Sequence, residues 1–142
     1  MLDASSGVSL WGVSSMNHEE IQEWAAAYID AQQDPELLKV EDHPLWWAVE
    51  RFMFPGSEDT LARDCLKVIL AILEKDPPES VIGSLAAGPL EDLIEECGEE
   101  IIEDIETEAR KNPAFRQLLG GMWESGKPEV WARVVSARGS AG

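Results

Sequence analysis

The sequence predicts an all-α fold, and three observations support that prediction. Apolar residues recur at intervals of three and four through most of the chain, which is the spacing of one helical face. No run alternates between apolar and polar residues, the pattern typical of a half-exposed strand. Proline, glycine, aspartate and asparagine divide the apolar stripes into short segments, as they do where helices end. We therefore expect about seven short helices around one core.

The first two helices are predicted from their boundaries. The first begins at Asn17, a favoured N-cap residue, and Glu20 three residues later completes a capping box. Its apolar stripe ends before Asp34-Pro35. The second follows His43-Pro44 and carries a short aromatic stripe that Pro55-Gly56 closes. Both segments are thus bounded by residues that start or stop helices.

The third predicted helix is the most apolar and is expected at the centre of the core. Ser57 or Asp59 can cap it, and its apolar residues cover more than half of its circumference. Burial of five of its large aliphatic side chains, at about 1.5–3 kcal/mol each, contributes on the order of 10 kcal/mol before chain entropy is subtracted. The apolar residues are Leu61, Cys65, Leu66, Val68, Ile69, Leu70, Ile72 and Leu73.

Three further short helices are predicted after Asp76-Pro77. The first stops at Gly88-Pro89, the second at Gly98 and the third at Asn112-Pro113. A short apolar segment follows, and a last helix begins at about Pro128. The Asp-Pro and Asn-Pro stops recur at intervals of 42 and 36 residues. This spacing favours an irregular α-α superhelix or an orthogonal bundle, with HEAT-like pairing of helices as one form.

A single helical domain is expected over residues 16–138. Residues 1–15 are rich in serine and are predicted to form a disordered arm, and residues 139–142 a flexible tail. The longest apolar run has six residues, against the ~20 that span a bilayer. The first fifteen residues lack the charged opening and apolar stretch of a secretory signal. These features predict a cytoplasmic protein.

The charge of the chain bears on its partners. It has 28 acidic and 11 basic residues and a formal net charge of −17. Binding to nucleic-acid phosphates needs clustered Lys and Arg, and an anionic membrane repels an acidic protein. The sequence therefore argues against nucleic-acid and membrane partners and predicts a basic protein partner, with a homo-oligomer left open.

Acidic residues are concentrated in residues 76–109, which carry 12 acids and no base. Between the apolar positions of two successive helices they form a carboxylate ridge. One interpretation is a solvated face that keeps the protein soluble, and the other is a surface that docks a basic protein. The second gains weight because unrelieved like charges cost about 0.2–0.5 kcal/mol per neighbouring pair. The predicted partner-binding residues of the ridge are Glu91, Asp92, Glu95, Glu96, Glu99, Glu100, Glu103 and Asp104, and the ridge also includes Glu106 and Glu108.

The residue patterns predict no enzymatic chemistry, no metal and no cofactor. His18 and His43 have no nucleophile or ligand at a recognisable spacing, and we expect them at an exposed helix start and in a loop. The Glu-x-x-His motifs of a di-metal bundle, a G-x-S-x-G elbow and a glycine-rich phosphate loop are all missing from the sequence. Cys65 and Cys97 lie in apolar helical patterns and are expected to be reduced core residues.

Six tryptophans are many for this length, and most are expected in the core because they lie in apolar stripes. Trp46 and Trp47 differ, since neighbouring residues of a helix point about 100° apart. One of the two, with Phe52 or Phe54, is predicted to face a groove or a partner. A core position for both stays the alternative.

The C-terminal half contains the strings Leu85-Ala86-Ala87-Gly88-Pro89-Leu90-Glu91-Asp92-Leu93, Asn112-Pro113-Ala114-Phe115-Arg116 and Leu119-Gly120-Gly121-Met122-Trp123. Together these strings resemble a family of small bacterial proteins of unknown function. The resemblance covers roughly residues 60–138. It implies a helical, cytoplasmic, bacterial domain and supplies no catalytic residue. In a stacked helical fold, Arg116 is expected to pair with Glu91 or Asp92.

Two functions follow from these features. The first is a non-enzymatic interaction protein, most concretely an immunity- or antitoxin-like inhibitor whose carboxylates block a basic bacterial toxin such as a nuclease. The second is a helical adaptor or scaffold that binds a peptide or subunit through the Trp46-Trp47 region. Salt separates them, because only docking through the ridge weakens steeply with ionic strength. A third class, an enzyme with a carboxylate cluster, predicts a melting temperature that rises with metal.

Overall fold

The computed structural model describes residues 16–57 and 60–139, and every regular element in them is helical. The all-α class is therefore confirmed. A 3₁₀ turn (Arg51–Met53) extends the second helix, and a π-turn (Ala86–Leu90) joins the fourth to the fifth. The predicted arm at residues 1–15, and residues 140–142 of the predicted tail, lie outside the described residues. The α-helices are α1 (His18–Gln33), α2 (Trp46–Glu50), α3 (Ala62–Glu74), α4 (Glu79–Leu85), α5 (Glu91–Lys111), α6 (Pro113–Leu119) and α7 (Pro128–Arg138).

The capping box predicted for α1 is confirmed in full. The Asn17 side chain accepts a hydrogen bond from the Glu20 amide at 2.8 Å, and the Glu20 carboxylate accepts one from the Asn17 amide at 2.9 Å. These two bonds satisfy two of the amide groups that a helix start leaves without partners. The helix ends at Gln33, directly before Asp34-Pro35 as predicted.

Helix α3 is buried on most sides and packs between α1 and α5. This confirms its predicted place in the core. The helix begins at Ala62, and its N-cap residue is Leu61, so the prediction of Ser57 as the cap is wrong, while Asp59, the other candidate, lies outside the described residues. Before the helix, the Gly56 amide donates to the Thr60 carbonyl at 2.8 Å. Cys65 and Cys97 are buried, as expected, and each is a free cysteine.

The predicted stops at Gly88-Pro89 and Gly98 are both wrong. At Pro89 the missing amide hydrogen removes one helical hydrogen bond, and the chain widens into the π-turn and continues. At Gly98 the helix runs on after a kink at Cys97, where φ is −129° and ψ is 19°. A Cβ at Gly98 would lie 2.9 Å from Val130 Cγ1. This glycine therefore allows α5 and α7 to approach closely, and it does not end the helix.

The largest packing contacts join α1 to α3 and α5 to α7. Contact between α3 and α5 unites these pairs into one core. Trp24 of α1 is fully buried, with its ring centroid 4.5 Å from that of Phe52 and its indole N–H donating to the Ala48 carbonyl at 2.8 Å. The superhelical, orthogonal or HEAT-like arrangement stays a prediction.

The expectation that most tryptophans lie in the core is wrong for the described part of the chain. Trp24 is fully buried, whereas Trp46 and Trp131 are half-buried and Trp47 and Trp123 are exposed. Trp47 lies on a five-residue helix that the core covers on one side, and Trp123 lies in the loop between α6 and α7. An apolar stripe therefore marked the helices without fixing how deeply each indole is buried.

Candidate functional site

All eight ridge residues predicted to bind a partner lie on a single helix, α5, and not on two helices. The chain places them between the buried positions of that helix, so that every one has some access to solvent. Glu91, Asp92 and Asp104 are half-buried. The exposed members are Glu95, Glu96, Glu99, Glu100 and Glu103.

Two ridge carboxylates hold the loop between α6 and α7. Glu91 accepts a hydrogen bond from the Trp123 amide at 2.8 Å, and Glu95 accepts one from the Gly126 amide at 2.9 Å. Gly126 has a φ of +78°, and a Cβ there would lie 3.0 Å from the Ile94 carbonyl oxygen, so the loop passes close to α5 at a glycine. Nothing in the sequence pattern distinguished these two acids from their neighbours.

Four of the ten ridge acids form ion pairs. The expectation that the ridge has no counter-charges is therefore wrong for these four. The cations come from α3, from α7 and its preceding loop, and from the last turn of α5 itself. Arg133 contacts Glu106 at 2.6 and 2.8 Å, and this hydrogen bonding holds the pKa of that carboxyl below its usual range. The pairs are Arg63 with Asp104, Lys127 with Glu99, Arg133 with Glu106 and Lys111 with Glu108.

The remaining exposed acids form the α5 acidic stripe, which we define as Glu96, Glu100 and Glu103. Their spacing of four and three residues places them on one side of the helix. Within residues 16–57 and 60–139 they make no hydrogen bond or ion pair. Glu96 and Glu100 also border an open cleft of about 320 Å³ between α5 and the start of α7, where Lys127 lies. The cleft gives a basic side chain a concave, anionic surface to contact.

A second surface surrounds α2. Trp47 and Phe54 are 38% and 62% exposed and border an open groove of about 600 Å³ that also contacts Glu50, Arg51 and Thr60. We call it the aromatic groove. Of the predicted pair, Trp47 is thus the outward-facing residue and Trp46 the half-buried one. Phe52, the other candidate neighbour, is buried in the core.

A third site was missed by the sequence analysis. A cavity of about 120 Å³ lies between α1, the segment that follows α2, and the π-turn, and Asp92 borders it. The only sequence signal for this cavity was the proline inside the helical pattern, because a proline that does not end a helix distorts the helix.

Three other sequence predictions concern Arg116, His18 and His43, which lie away from these surfaces. The predicted pairing of Arg116 with Glu91 or Asp92 is wrong, because the guanidinium donates to the Ala109 carbonyl at 2.6 Å and so satisfies the end of α5. His18 lies exposed in the first turn of α1, as expected. His43 lies in a loop, as expected, but is buried and bonds to the Asp34 carboxylate at 2.8 Å.

The described residues contain no group of three or more His, Cys, Asp or Glu side chains arranged to hold a metal ion. Across the same part of the chain, none of the helices combines the length and the apolar character that crossing a bilayer requires.

These features define an all-α protein whose longest helix presents an acidic face and whose second helix borders an aromatic groove. The model of DUF6869, a family of unknown function, matches residues 32–142, and the chain belongs to that family. The resemblance to an uncharacterised family is thereby confirmed. No curated protein and no solved structure matches the chain.

Proposed function

We propose that this chain is a non-enzymatic interaction protein that binds a basic protein through α5. The observation that carries the proposal is the α5 acidic stripe, three exposed carboxylates about one turn apart that form no hydrogen bond or ion pair among the described residues, although the charge of Arg133 acts on Glu103. The other ridge acids have amide or cationic partners, apart from Asp92 at the cavity. The stripe is thus the part of the ridge left for another molecule.

The electrostatic cost of the stripe supports this proposal. Like charges one turn apart destabilise a helix by about 0.2–0.5 kcal/mol per pair. Lysines or arginines at a matching spacing on a partner relieve that repulsion, and complementary potentials accelerate association and select the partner. The net charge of −17 extends the same field over the whole molecule.

The most specific form of the proposal is an immunity- or antitoxin-like inhibitor of a basic toxin. A nuclease binds phosphates with clustered basic residues, and carboxylates at helical spacing compete for those residues. Co-expression tests this form directly. The wild-type chain is expected to restore growth to cells that produce a basic toxin nuclease encoded in the same source genome, and the stripe variant described next is expected to fail; if no such toxin is neutralised, this form of the proposal is wrong.

A charge-matched pair of variants tests the proposal. The stripe variant carries Glu96→Gln, Glu100→Gln and Glu103→Gln, and the control carries Glu23→Gln, Glu41→Gln and Glu74→Gln, three exposed acids on other parts of the molecule. Both change the net charge by the same amount. Because exposed charge pairs contribute about 0.2–1 kcal/mol each, the stripe variant is expected to weaken partner binding by about tenfold and the control to leave it unchanged.

The measurement is affinity capture from the source cells at a series of salt concentrations, followed by titration of the purified partner. The specific partner is expected to be basic, to dissociate as salt rises towards physiological strength and beyond, and to be lost with the stripe variant alone. If wild type, stripe variant and control retain the same proteins at every salt concentration, α5 is not the binding surface.

The aromatic groove favours a second candidate function, an adaptor that binds a peptide or subunit through apolar contacts. Exposed Trp47 and Phe54 on one groove are the observation behind it. Aromatic side chains in grooves are frequent binding hot spots. Binding of this kind is expected to change little with salt and to be lost in a Trp47→Ala, Phe54→Ala variant while the stripe variant keeps it.

A further inference from the structure

His43 connects the end of α1 to the start of α2 through both nitrogens of its ring. Its Nε2 lies 2.8 Å from a carboxylate oxygen of Asp34, the residue that follows α1. Its Nδ1 lies 3.1 Å from the amide nitrogen of Leu45, the residue that precedes α2. The side chain is 6% exposed, so the ring has little contact with water. Both ring nitrogens are therefore bonded to the protein itself.

These two contacts assign the position of the ring proton. A backbone amide only donates, so Nδ1 is the unprotonated nitrogen that accepts the hydrogen bond from Leu45. A neutral imidazole then carries its proton on Nε2, which donates to the Asp34 carboxylate. The arrangement thus requires one ring proton, at one nitrogen.

Asp34 stays charged while a histidine changes its charge. Its other carboxylate oxygen accepts a hydrogen bond from the Glu36 amide at 2.9 Å. This bond, followed by the hydrogen bond from His43, lowers the pKa of Asp34 below its usual range. Among the residues that the structure describes, Asp34 is the charged side chain in contact with the ring, and the preceding Asp42 forms no hydrogen bond or ion pair with it. Asp34 is therefore a constant negative charge beside the ring.

A second proton on the ring changes its two bonds in opposite directions. Protonated Nδ1 is a donor, so it faces the Leu45 N–H donor to donor and that hydrogen bond is lost. The bond from Nε2 to Asp34 becomes a hydrogen bond between two charged groups and is strengthened. Protonation therefore frees the Leu45 amide without removing the ring from Asp34.

The Leu45 amide matters because of the helix that it precedes. Leu45 is the N-cap residue of α2, and no described side chain caps that helix. A helix of five residues is too short to be stable by itself, so it depends on the contacts at its ends and on the core. Trp47 lies in its first turn and borders the aromatic groove. A change at Leu45 therefore reaches one wall of that groove.

We propose that His43 is a pH-sensitive clasp for the start of α2. With one proton on the ring, His43 holds both Asp34 and the Leu45 amide, and the wall of the aromatic groove is ordered. With two protons, the ring stays on Asp34 and releases Leu45, and the first turn of α2, with Trp47, becomes mobile. Acid thereby loosens the groove without unfolding the protein.

NMR of the full chain between about pH 8 and about pH 5, the range in which histidine changes charge, tests the clasp. Ring ¹⁵N shifts at the alkaline end are expected to show that His43 is protonated at Nε2 and not at Nδ1. As the ring gains its second proton, the protection of the Leu45 amide against exchange, corrected for the intrinsic pH dependence of exchange, is expected to fall by about threefold to tenfold.

Three results of this measurement overturn the proposal. The first is a ring protonated at Nδ1 at the alkaline end. The second is a ring that keeps a single proton down to about pH 5. The third is an unchanged protection of the Leu45 amide once the ring carries two protons.

Two variants assign the response to one histidine. His43→Asn keeps an acceptor for the Leu45 amide, because an asparagine oxygen commonly accepts from the amide two residues later, but it takes up no proton. This variant is expected to keep Leu45 protected throughout. His18→Gln removes the exposed histidine of α1 and is expected to retain the full acid response. A response that persists in folded His43→Asn, or is lost in His18→Gln, overturns the assignment. If His43→Asn fails to fold, the wild-type measurement decides.

Asp34→Asn tests the group that retains the ring. Asparagine keeps an oxygen that accepts from Nε2 and removes the charge that favours the doubly protonated ring. Loss of Leu45 protection is therefore expected at a lower pH than in wild type, whereas Glu23→Gln, which removes an exposed acid of α1, is expected to leave it unchanged. Equal responses of the two variants overturn the role of Asp34. The inference does not rest on the proposed function, because the stripe variant leaves His43, Asp34 and Leu45 in place.

Discussion

The two halves of α5, which lie before and after the kink at Cys97, both carry acidic side chains, but the acids of each half contact different kinds of group. Before the kink, Glu91 and Glu95 accept hydrogen bonds from backbone amides of the loop between α6 and α7. After the kink, Asp104 and Glu106 pair with arginine side chains from α3 and α7. The role of an acid on this helix therefore depends on whether backbone amides or basic side chains lie opposite it.

The physical reason lies in the backbone on the other side. A loop has amide groups that no helix satisfies, and a nearby carboxylate is a strong acceptor for them. A helix has already satisfied its interior amides, so only its side chains can interact with an acid across the interface. The first half of α5 faces such a loop, whereas Asp104 and Glu106 in the second half face helices. The acids of the α5 acidic stripe form no hydrogen bond or ion pair with either among the described residues.

The largest expected effect comes from the glycine that lets the second half of α5 contact α7. Gly98→Ala places a Cβ 2.9 Å from Val130 Cγ1, and overpacking of this kind costs about 1–3 kcal/mol. Gly83→Ala, in α4, is the matched control, because a Cβ there meets nothing within 4 Å. It is expected to stabilise the protein by about 0.5–1 kcal/mol through helix propensity and chain entropy. Urea unfolding measures both, and equal stability of the two variants contradicts this account of the helix contact.

A smaller effect is expected from the acids of the first half. Glu91→Ala and Glu95→Ala each remove an acceptor from a backbone amide and are expected to cost about 1 kcal/mol. Hydrogen exchange gives the sharper measurement, because the Trp123 amide is expected to exchange faster in Glu91→Ala and the Gly126 amide in Glu95→Ala. Glu96→Ala is the control on the same half. If it accelerates both amides equally, the loop is held by general electrostatics and not by the two hydrogen bonds.

Local sequence patterns predicted much of the fold, but they did not predict which partners the acids of α5 have. The capping box at Asn17 and the helix end before Asp34-Pro35 involve residues within one turn, so local rules predict them. Gly98 looked like a helix stop because local rules assign glycine to helix ends, whereas here it accommodates Val130 from a distant helix. The partners of Glu91 and Glu106 are 32 and 27 residues away, which no local pattern encodes.

The smallest effects, and the sharpest test of the comparison, concern the pKa values of one acid from each half. Burial raises the pKa of Asp92 before the kink, and hydrogen bonding to Arg133 lowers the pKa of Glu106 after it. Carboxyl ¹³C titrations are expected to place the midpoint of Asp92 above that of an ordinary aspartate and the midpoint of Glu106 below that of an ordinary glutamate. Arg133→Gln is expected to raise the pKa of Glu106 towards its ordinary value and to leave the pKa of Asp92 unchanged.

These shifts affect stability in opposite directions. The lowered pKa of Glu106 means that its charged form stabilises the fold above its unfolded pKa, and this contribution is lost as the pH falls through the folded value. The raised pKa of Asp92 means that its charged form destabilises the fold at neutral pH, and this cost disappears as the pH falls through the folded value. At pH 7, Glu106→Gln is therefore expected to lower the melting temperature slightly and Asp92→Asn to raise it. Changes of the same sign would show that the two halves of α5 do not differ in how they hold their charge.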